Sequence, residues 1–162
     1  SKTFAPGLRI GVIVAHEQII KKMEILKQSL DLCSSSLNQL IAAEFLRSGH
    51  FEKHIALVKK VYKTKKDTML AALEKYMPEG VTWTRPEGGL FLWVKLPESM
   101  SADDMFEDAI RENVAYVIGS AFHCDGSGKN TMRLNFSYAT PADIDEGIKR
   151  LATAVKKRLV LK

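Results

Sequence analysis

Cysteine is scarce in this chain. The 162 residues hold two, Cys33 and Cys124, far apart and without Cys-x-x-Cys spacing. That excludes a disulfide framework and a zinc ribbon and makes a reducing, cytoplasmic compartment the expected one. Also lacking is any run of about eighteen uncharged apolar residues, so no membrane-spanning helix is expected. The start, Ser1 to Ile10, does not follow the basic, apolar, small-residue order of a secretory leader. There is no internal repeat and no low-complexity linker. Net charge is +5, but the basic residues are spread along the chain. Their densest group, Lys59, Lys60, Lys63, Lys65 and Lys66, falls within a helical pattern and is expected to form a solvated helix face instead of a nucleic-acid footprint. What remains is an ordinary globular composition, 46% apolar and 27% charged, with length for one or two modest cores.

Hydrophobic periodicity divides the chain into elements. Leu8 to Ala15 (LRIGVIVA) is a short, β-branched apolar run bounded by Pro6-Gly7 and His16-Glu17, as expected of a buried core strand. Ile19, Ile20, Met23, Leu26 and Leu30 then recur at helical spacing between Glu17 and Leu30, and a second helix is predicted from Leu37 to Leu46, stopped by Gly49. His50 to Tyr76 carries apolar residues at steps of three, four and seven with no internal glycine or proline, which predicts one long helix ended by Pro78 and Gly80. Beyond it the period changes. Val81 to Arg85 and Leu90 to Leu96 read as strands around Pro86-Glu87-Gly88-Gly89, Ser101 caps a helix to about Asn113, Ala115 to Ile118 and Met132 to Tyr138 read as strands, and Thr140-Pro141 opens a last helix to about Leu159. The order predicts an α/β first part and an α+β second part.

Chemistry concentrates in a few segments. In Ser1-Lys2-Thr3-Phe4-Ala5-Pro6-Gly7-Leu8-Arg9-Ile10-Gly11, Lys2 and Arg9 flank a Pro-Gly turn, so a cation at each end of one loop can meet a single anionic ligand. On spacing alone, a solvated lysine and an arginine paired with some carboxylate account for the segment more simply. Arg133 in Met132-Arg133-Leu134-Asn135-Phe136-Ser137-Tyr138 would, alone, be a strand-edge arginine in a salt bridge. In Arg85-Pro86-Glu87-Gly88-Gly89-Leu90-Phe91-Leu92-Trp93, the paired glycines permit positive φ and close backbone approach, or make a plain hairpin turn.

Together these segments resemble the class I/II, fold-type I aminotransferases that depend on pyridoxal 5'-phosphate. The run SK-x5-LRIG is similar to that family's cofactor signature, RLNFS to its carboxylate-binding strand and P-x-G-G-x-F-x-W to its small-domain entry. Within Val117-Ile118-Gly119-Ser120-Ala121-Phe122, residues 118–122 resemble the family's P-G-x-x-F, with Ile118 where proline is usual. The K-x3-PGLRIG form is nearest to the aminoadipate, kynurenine and broad-specificity subgroup. The resemblance covers essentially the whole chain and implies an α/β, fold-type I architecture. Residues 1–49 would be the remnant of the large cofactor-binding domain, 50–77 the long interdomain helix and 78–162 the small α+β domain.

It further implies that Lys2 forms the Schiff base with the cofactor and moves the substrate proton, that Arg9 and, more weakly, Ser1 bind near its phosphate, and that Arg133 clamps the substrate α-carboxylate beside Gly88 and Gly89. The implied partners are an amino acid, a 2-oxo acid and, for the full-length enzyme, a second subunit. The family's residues that pair with the pyridine nitrogen, stack on the ring and bond its 3′-oxygen precede the active lysine, so this segment alone is expected to be inactive. The alternative is a cofactor-sensing domain of a winged-helix transcription regulator, the one case in which nucleic acid is an expected partner.

Other motifs fail on their spacing. Gly126-Ser127-Gly128-Lys129-Asn130 lacks the first glycine and the Ser or Thr of a phosphate-binding loop and reads as a surface turn. His123, Cys124 and Asp125 are adjacent, poor spacing for shared ligands, and no metal is expected. No serine lies in a nucleophile-elbow pattern.

Overall fold

A computed structural model describes residues 2–160 and divides the chain into two compact units, 1–60 and 61–162. In the first unit a single 3-10 turn, Pro6–Leu8, precedes α1 (Glu17–Leu30) and α2 (Ser36–Arg47), and α3 (His50–Tyr76) begins there and continues into the second. The second unit adds β1 (Thr82–Trp83), β2 (Phe91–Lys95), α4 (Ala102–Arg111), β3 (Val117–Ile118), a 3-10 turn at Gly119–Phe122, β4 (Thr131–Asn135) and α5 (Pro141–Val160).

The expected core strand at Leu8 to Ala15 is not formed. Residues 9–16 are irregular, and Val12, Ile13 and Val14 are 85%, 58% and 94% exposed. A strand exists only against a neighbour that takes up its N–H and C=O groups, and among the described residues every strand lies in the second unit. The apolar faces of α1 and α2 are uncovered likewise: neither helix buries a residue, and Leu26, Leu30, Leu37 and Leu40 are exposed.

The second unit has a full core. Its sheet is antiparallel with order β1-β2-β4-β3, and β2 and β4 pair along five residues from Phe91↔Asn135 to Lys95↔Thr131. Strand alternation sends Leu92, Val94, Met132 and Leu134 to one face, where they are at most 5% exposed. There they join Met69, Ala72 and Leu73 of α3, Met105 and Ala109 of α4, and Ile144, Ile148, Leu151 and Val155 of α5. The opposite face of the same strands carries Phe91, Trp93 and Arg133, which are half-buried.

The helix starts follow local chemistry. Ser101 Oγ accepts from Asp104 N–H at 3.1 Å, the predicted cap of α4. At α5, Thr140 Oγ1 donates to Asp143 Oδ2 at 2.6 Å while Asp143 N–H donates back to Thr140 Oγ1 at 3.2 Å, a reciprocal cap. The Thr140 hydroxyl, and after it the Thr140 N–H, hold the Asp143 carboxyl below its ordinary value of 3.8. A carboxyl depressed in the folded state contributes stability above its unfolded value and loses that contribution as pH falls through the folded one. The thermal midpoint is therefore expected to decline on acidification from about 3.8 downward, and Asp143→Asn, which cannot titrate, to decline less over that range in a pH series by differential scanning fluorimetry.

The basic cluster on α3 is only partly a solvated face. Lys59, Lys60 and Lys63 are exposed, but Lys65 and Lys66 are half-buried. Lys65 Nζ donates to the carbonyls of Ser137 and Tyr138 at 2.9 and 3.1 Å, and Lys66 Nζ to the Pro86 carbonyl at 3.2 Å. Their ammonium groups satisfy loop carbonyls that no strand partner takes up.

Candidate functional site

In the first unit, the loop carrying Lys2 and Arg9 is fixed from beneath by an aromatic cluster. Phe4 stacks on Phe45 with centroids 3.9 Å apart and planes at 12°, and His54 stands edge-on to Phe45 at 5.6 Å. Phe51 meets Phe45 edge-on at 6.3 Å. The far end of the loop is held where Asn38 Nδ2 donates to the Leu8 carbonyl at 3.1 Å.

Between these anchors the 3-10 turn ends at Arg9, whose φ of 53° lies in the left-handed region. A non-glycine residue there is uncommon. Arg9 gains in exchange a backbone N–H bond and an Nη1–H bond to the Pro6 carbonyl, at 3.3 and 3.2 Å. The rest of its guanidinium remains free to bind, since the residue is exposed and joins no ion pair among the described residues. Lys2 is exposed. Ser1, the third expected cofactor residue, lies outside the described residues.

In the second unit Arg133 is the centre of the exposed sheet face. It sits opposite Trp93 on β2 and Val117 on β3. Its guanidinium carbon lies 4.1 Å from the centroid of Phe91 and 4.5 Å from that of Phe122, both within cation–π range. Nε is buried and has no hydrogen-bond partner among the described residues. The salt bridge that would make Arg133 an ordinary strand arginine is not among the ion pairs there.

Phe122 reaches the arginine because of Gly119. A Cβ at residue 119 would collide with Thr131 Oγ1 and stand 2.7 Å from the Thr131 carbonyl, so only glycine lets the 3-10 turn lie this close to β4. Ser120 Oγ ties the same turn to α4 through Asp103 Oδ2 at 2.7 Å. Neither contact involves residue 118, so the turn holds its place with isoleucine where the resembled motif has proline.

The glycine pair behaves unevenly. Gly89 has φ +83°, whereas Gly88 does not enter the positive-φ region, and both face open space. Close approach by neighbouring protein therefore does not require them. Their loop is held by Lys66 on Pro86 and by the Phe136 N–H on the Leu90 carbonyl at 3.2 Å.

Sequence reasoning quoted Phe91 and Phe122 within motifs but gave neither a role. The signal available was the alternation of Phe91 and Trp93 on the same strand face as the arginine's neighbours. It did not find Lys65 and Lys66 as loop anchors, since a lysine run on a helix carries no mark of what lies opposite it.

The apparent phosphate loop is a turn closed on itself. Asp125 Oδ1 accepts from Ser127 N–H at 3.0 Å, and Ser127 Oγ contacts His123 Nδ1 at 2.8 Å. The Ser127 side chain, and after it the Ser127 N–H, hold the Asp125 carboxyl below its ordinary value. Among the described residues no three His, Cys, Asp or Glu side chains gather as metal ligands, and no helix is long and apolar enough to cross a membrane.

Comparison with known proteins gives consistent results. The aromatic-amino-acid aminotransferase 1 of Thermococcus litoralis is 49% identical over 98% of this chain, which covers 38% of that protein. The crystal structure of Pyrococcus horikoshii kynurenine aminotransferase, a complex with PMP, superposes with a TM-score of 0.91 at 52% identity, over 98% of this chain and 39% of that one. LysN, the α-aminoadipate aminotransferase of Thermus thermophilus, solved with N-(5'-phosphopyridoxyl)-L-leucine, gives 0.93 at 40% identity, over 100% and 41%. A helix-turn-helix transcriptional regulator of Bacillus subtilis also matches, at 36% identity with 32% of its length covered. The chain thus spans about two fifths of the aminotransferases it matches and shares the mixed α/β fold of fold-type I aminotransferase structures over that length. The model of the family described as aminotransferase class I and II matches residues 1–151, and the chain belongs to that family.

Proposed function

We propose that this chain is the C-terminal part of a pyridoxal-phosphate-dependent aminotransferase that moves an amino group from an amino acid to a 2-oxo acid. The single observation carrying the substrate half of this reading is Arg133, a half-buried guanidinium held by rings, with no carboxylate partner among the described residues. Such a group is suited to an incoming carboxylate, which it meets as a planar fork.

The cofactor fits the donor set of the first unit. Lys2 offers an exposed primary amine for the aldehyde, and Arg9, at the other end of the anchored loop, offers the guanidinium edge not spent on Pro6 to a phosphate. Bound there, pyridoxal phosphate would supply an electron sink for charge developing at the substrate Cα. Lys2 would hold the cofactor and then carry the proton away from Cα. Arg133 would fix the substrate by its α-carboxylate, with the backbone at Gly88 and Gly89 alongside. Ser1 would lie near the phosphate.

The uncovered apolar surface of α1, α2 and residues 12–14 has its explanation in the same reading. The segment of residues 1–49 would be part of a large domain whose remaining sheet comes from the three fifths of an aminotransferase this chain does not span. Residues 50–77 would be the interdomain helix and 78–162 the small domain. The full-length enzyme is proposed to be cytoplasmic and homodimeric.

The test is an absorbance spectrum of the full-length protein with pyridoxal phosphate before and after borohydride, followed by peptide mapping. A reduced cofactor adduct on Lys2 is the expected result. No adduct, or one on another lysine, overturns the assignment.

A further inference from the structure

Resting on the reading of Arg133 as the carboxylate-binding residue, we infer that Phe91 and Phe122 are positioning residues that form an aromatic cradle and set the plane of the Arg133 guanidinium before substrate arrives. The guanidinium carbon is within 4.1 and 4.5 Å of the two ring centroids. Of the two rings, Phe91 comes from β2 and Phe122 from the 3-10 turn, so different elements supply them.

Each ring is itself braced. Phe91 is diagonal to Arg133 across the β2–β4 ladder, since Phe91 pairs with Asn135 while Trp93 pairs with Arg133. Phe122 stands edge-on against Trp93, centroids 5.3 Å apart at 83°. Trp93 N–H donates to Thr84 Oγ1 at 3.0 Å, which holds its backbone in the sheet. The turn bearing Phe122 is fixed by Gly119 against Thr131 and by Ser120 on Asp103.

With Nε buried and unpartnered among the described residues, the contacts that meet the guanidinium there are those of the two rings. A conventional carboxylate anchor would hold the guanidinium equally well, but it would neutralise the charge the substrate needs. Ring faces attract a cation through their quadrupoles without donating an anion to it. The ordering cost of the arginine is met on folding and not on binding.

The experiment uses the full-length protein loaded with pyridoxal phosphate, with Phe91→Leu, Phe122→Leu, Phe122→Tyr and Arg133→Gln compared. Acetate, a carboxylate with no amino group and almost no side chain, serves as competitive inhibitor. KM and kcat are measured for the amino donor that the unmodified protein turns over fastest in a panel. Each leucine variant is expected to raise the acetate Ki and the donor KM about fivefold to tenfold, with kcat within about twofold. Phe122→Tyr, which keeps the ring face, restores unmodified values.

Phe122 is 48% exposed, so leucine there opens no cavity, and an unchanged thermal midpoint accompanies the shift. If Arg133→Gln weakens acetate but the leucine variants bind it like the unmodified protein, the cradle is overturned and Arg133 stands. If Arg133→Gln itself leaves the acetate Ki unchanged, the reading of Arg133 falls and takes the cradle with it. A loss confined to kcat or to thermal stability also overturns the cradle, because that is what general packing would produce.

Discussion

Lys2→Ala in the full-length protein is expected to reduce transamination by at least about 10²- to 10⁴-fold, the range that general acid–base catalysis alone contributes, and to abolish the borohydride-trapped adduct. Both losses come from one nitrogen. In the proposed reaction Lys2 would supply the primary amine that holds the cofactor and would accept a proton from the substrate. Alanine offers neither. Lys2→Arg is expected to be as inactive, since a guanidinium stays protonated at working pH and lacks the free lone pair.

The loop's construction separates chemistry from folding. Lys2 is exposed, and the loop is held by Phe4 on Phe45 and by Asn38 on Leu8, none of which depends on the lysine. The variant should therefore keep the unmodified thermal midpoint. Added methylamine, a free primary amine, is expected to return part of the half-reaction rate with amino donor. A Lys2→Ala protein with more than about a tenth of unmodified activity would place the amine elsewhere, since the loss would then lie below the general acid–base range.

Which elements were legible in the sequence follows from what holds each of them. The helices α1, α3 and α5 carry their instructions locally, in apolar spacing and in caps such as Thr140 with Asp143, and they appear at the predicted places to within a residue or two. The strands of the second unit also appear, though shorter. Met132 to Tyr138 is cut to Thr131–Asn135 because Asn135 turns its Oδ1 onto the N–H and hydroxyl of Ser137 and closes the strand.

The segment from Leu8 to Ala15 fails for the opposite reason. Its apolar, β-branched composition states that it needs burial, but a strand's partner is never written in the strand itself. The motifs single out Lys2, Arg9 and Arg133 as candidates but could not show how Arg133 is held. The cradle joins residues 91, 122 and 133, whose proximity arises only from the β2–β4 register and from the space that Gly119 leaves.

Arg133→Gln is expected to lower kcat/KM for the amino donor by on the order of 10²- to 10³-fold, as for truncation of a hydrogen-bonded charge pair. Glutamine loses the charge and offers a single amide donor group where the guanidinium offered a fork. Most of the loss should appear in KM, because the carboxylate is bound in the ground state as well as at the barrier. A smaller part should appear in kcat, because two parallel bonds fix the rotation of the substrate and hence the direction of its Cα–H bond.

Arg133→Lys is the sharper comparison. It keeps the charge on a flexible stem, yet an ammonium is a compact, strongly hydrated point with no plane to set against the rings of Phe91 and Phe122. It is expected to recover only a minor part of the loss, and to do so in KM while kcat stays low, since an ammonium attracts the carboxylate but does not hold it by two parallel bonds. Steady-state kinetics of the two variants measure this division. Full recovery by lysine would mean that only the charge at position 133 matters, and that neither the fork nor the rings around it take part in positioning the substrate.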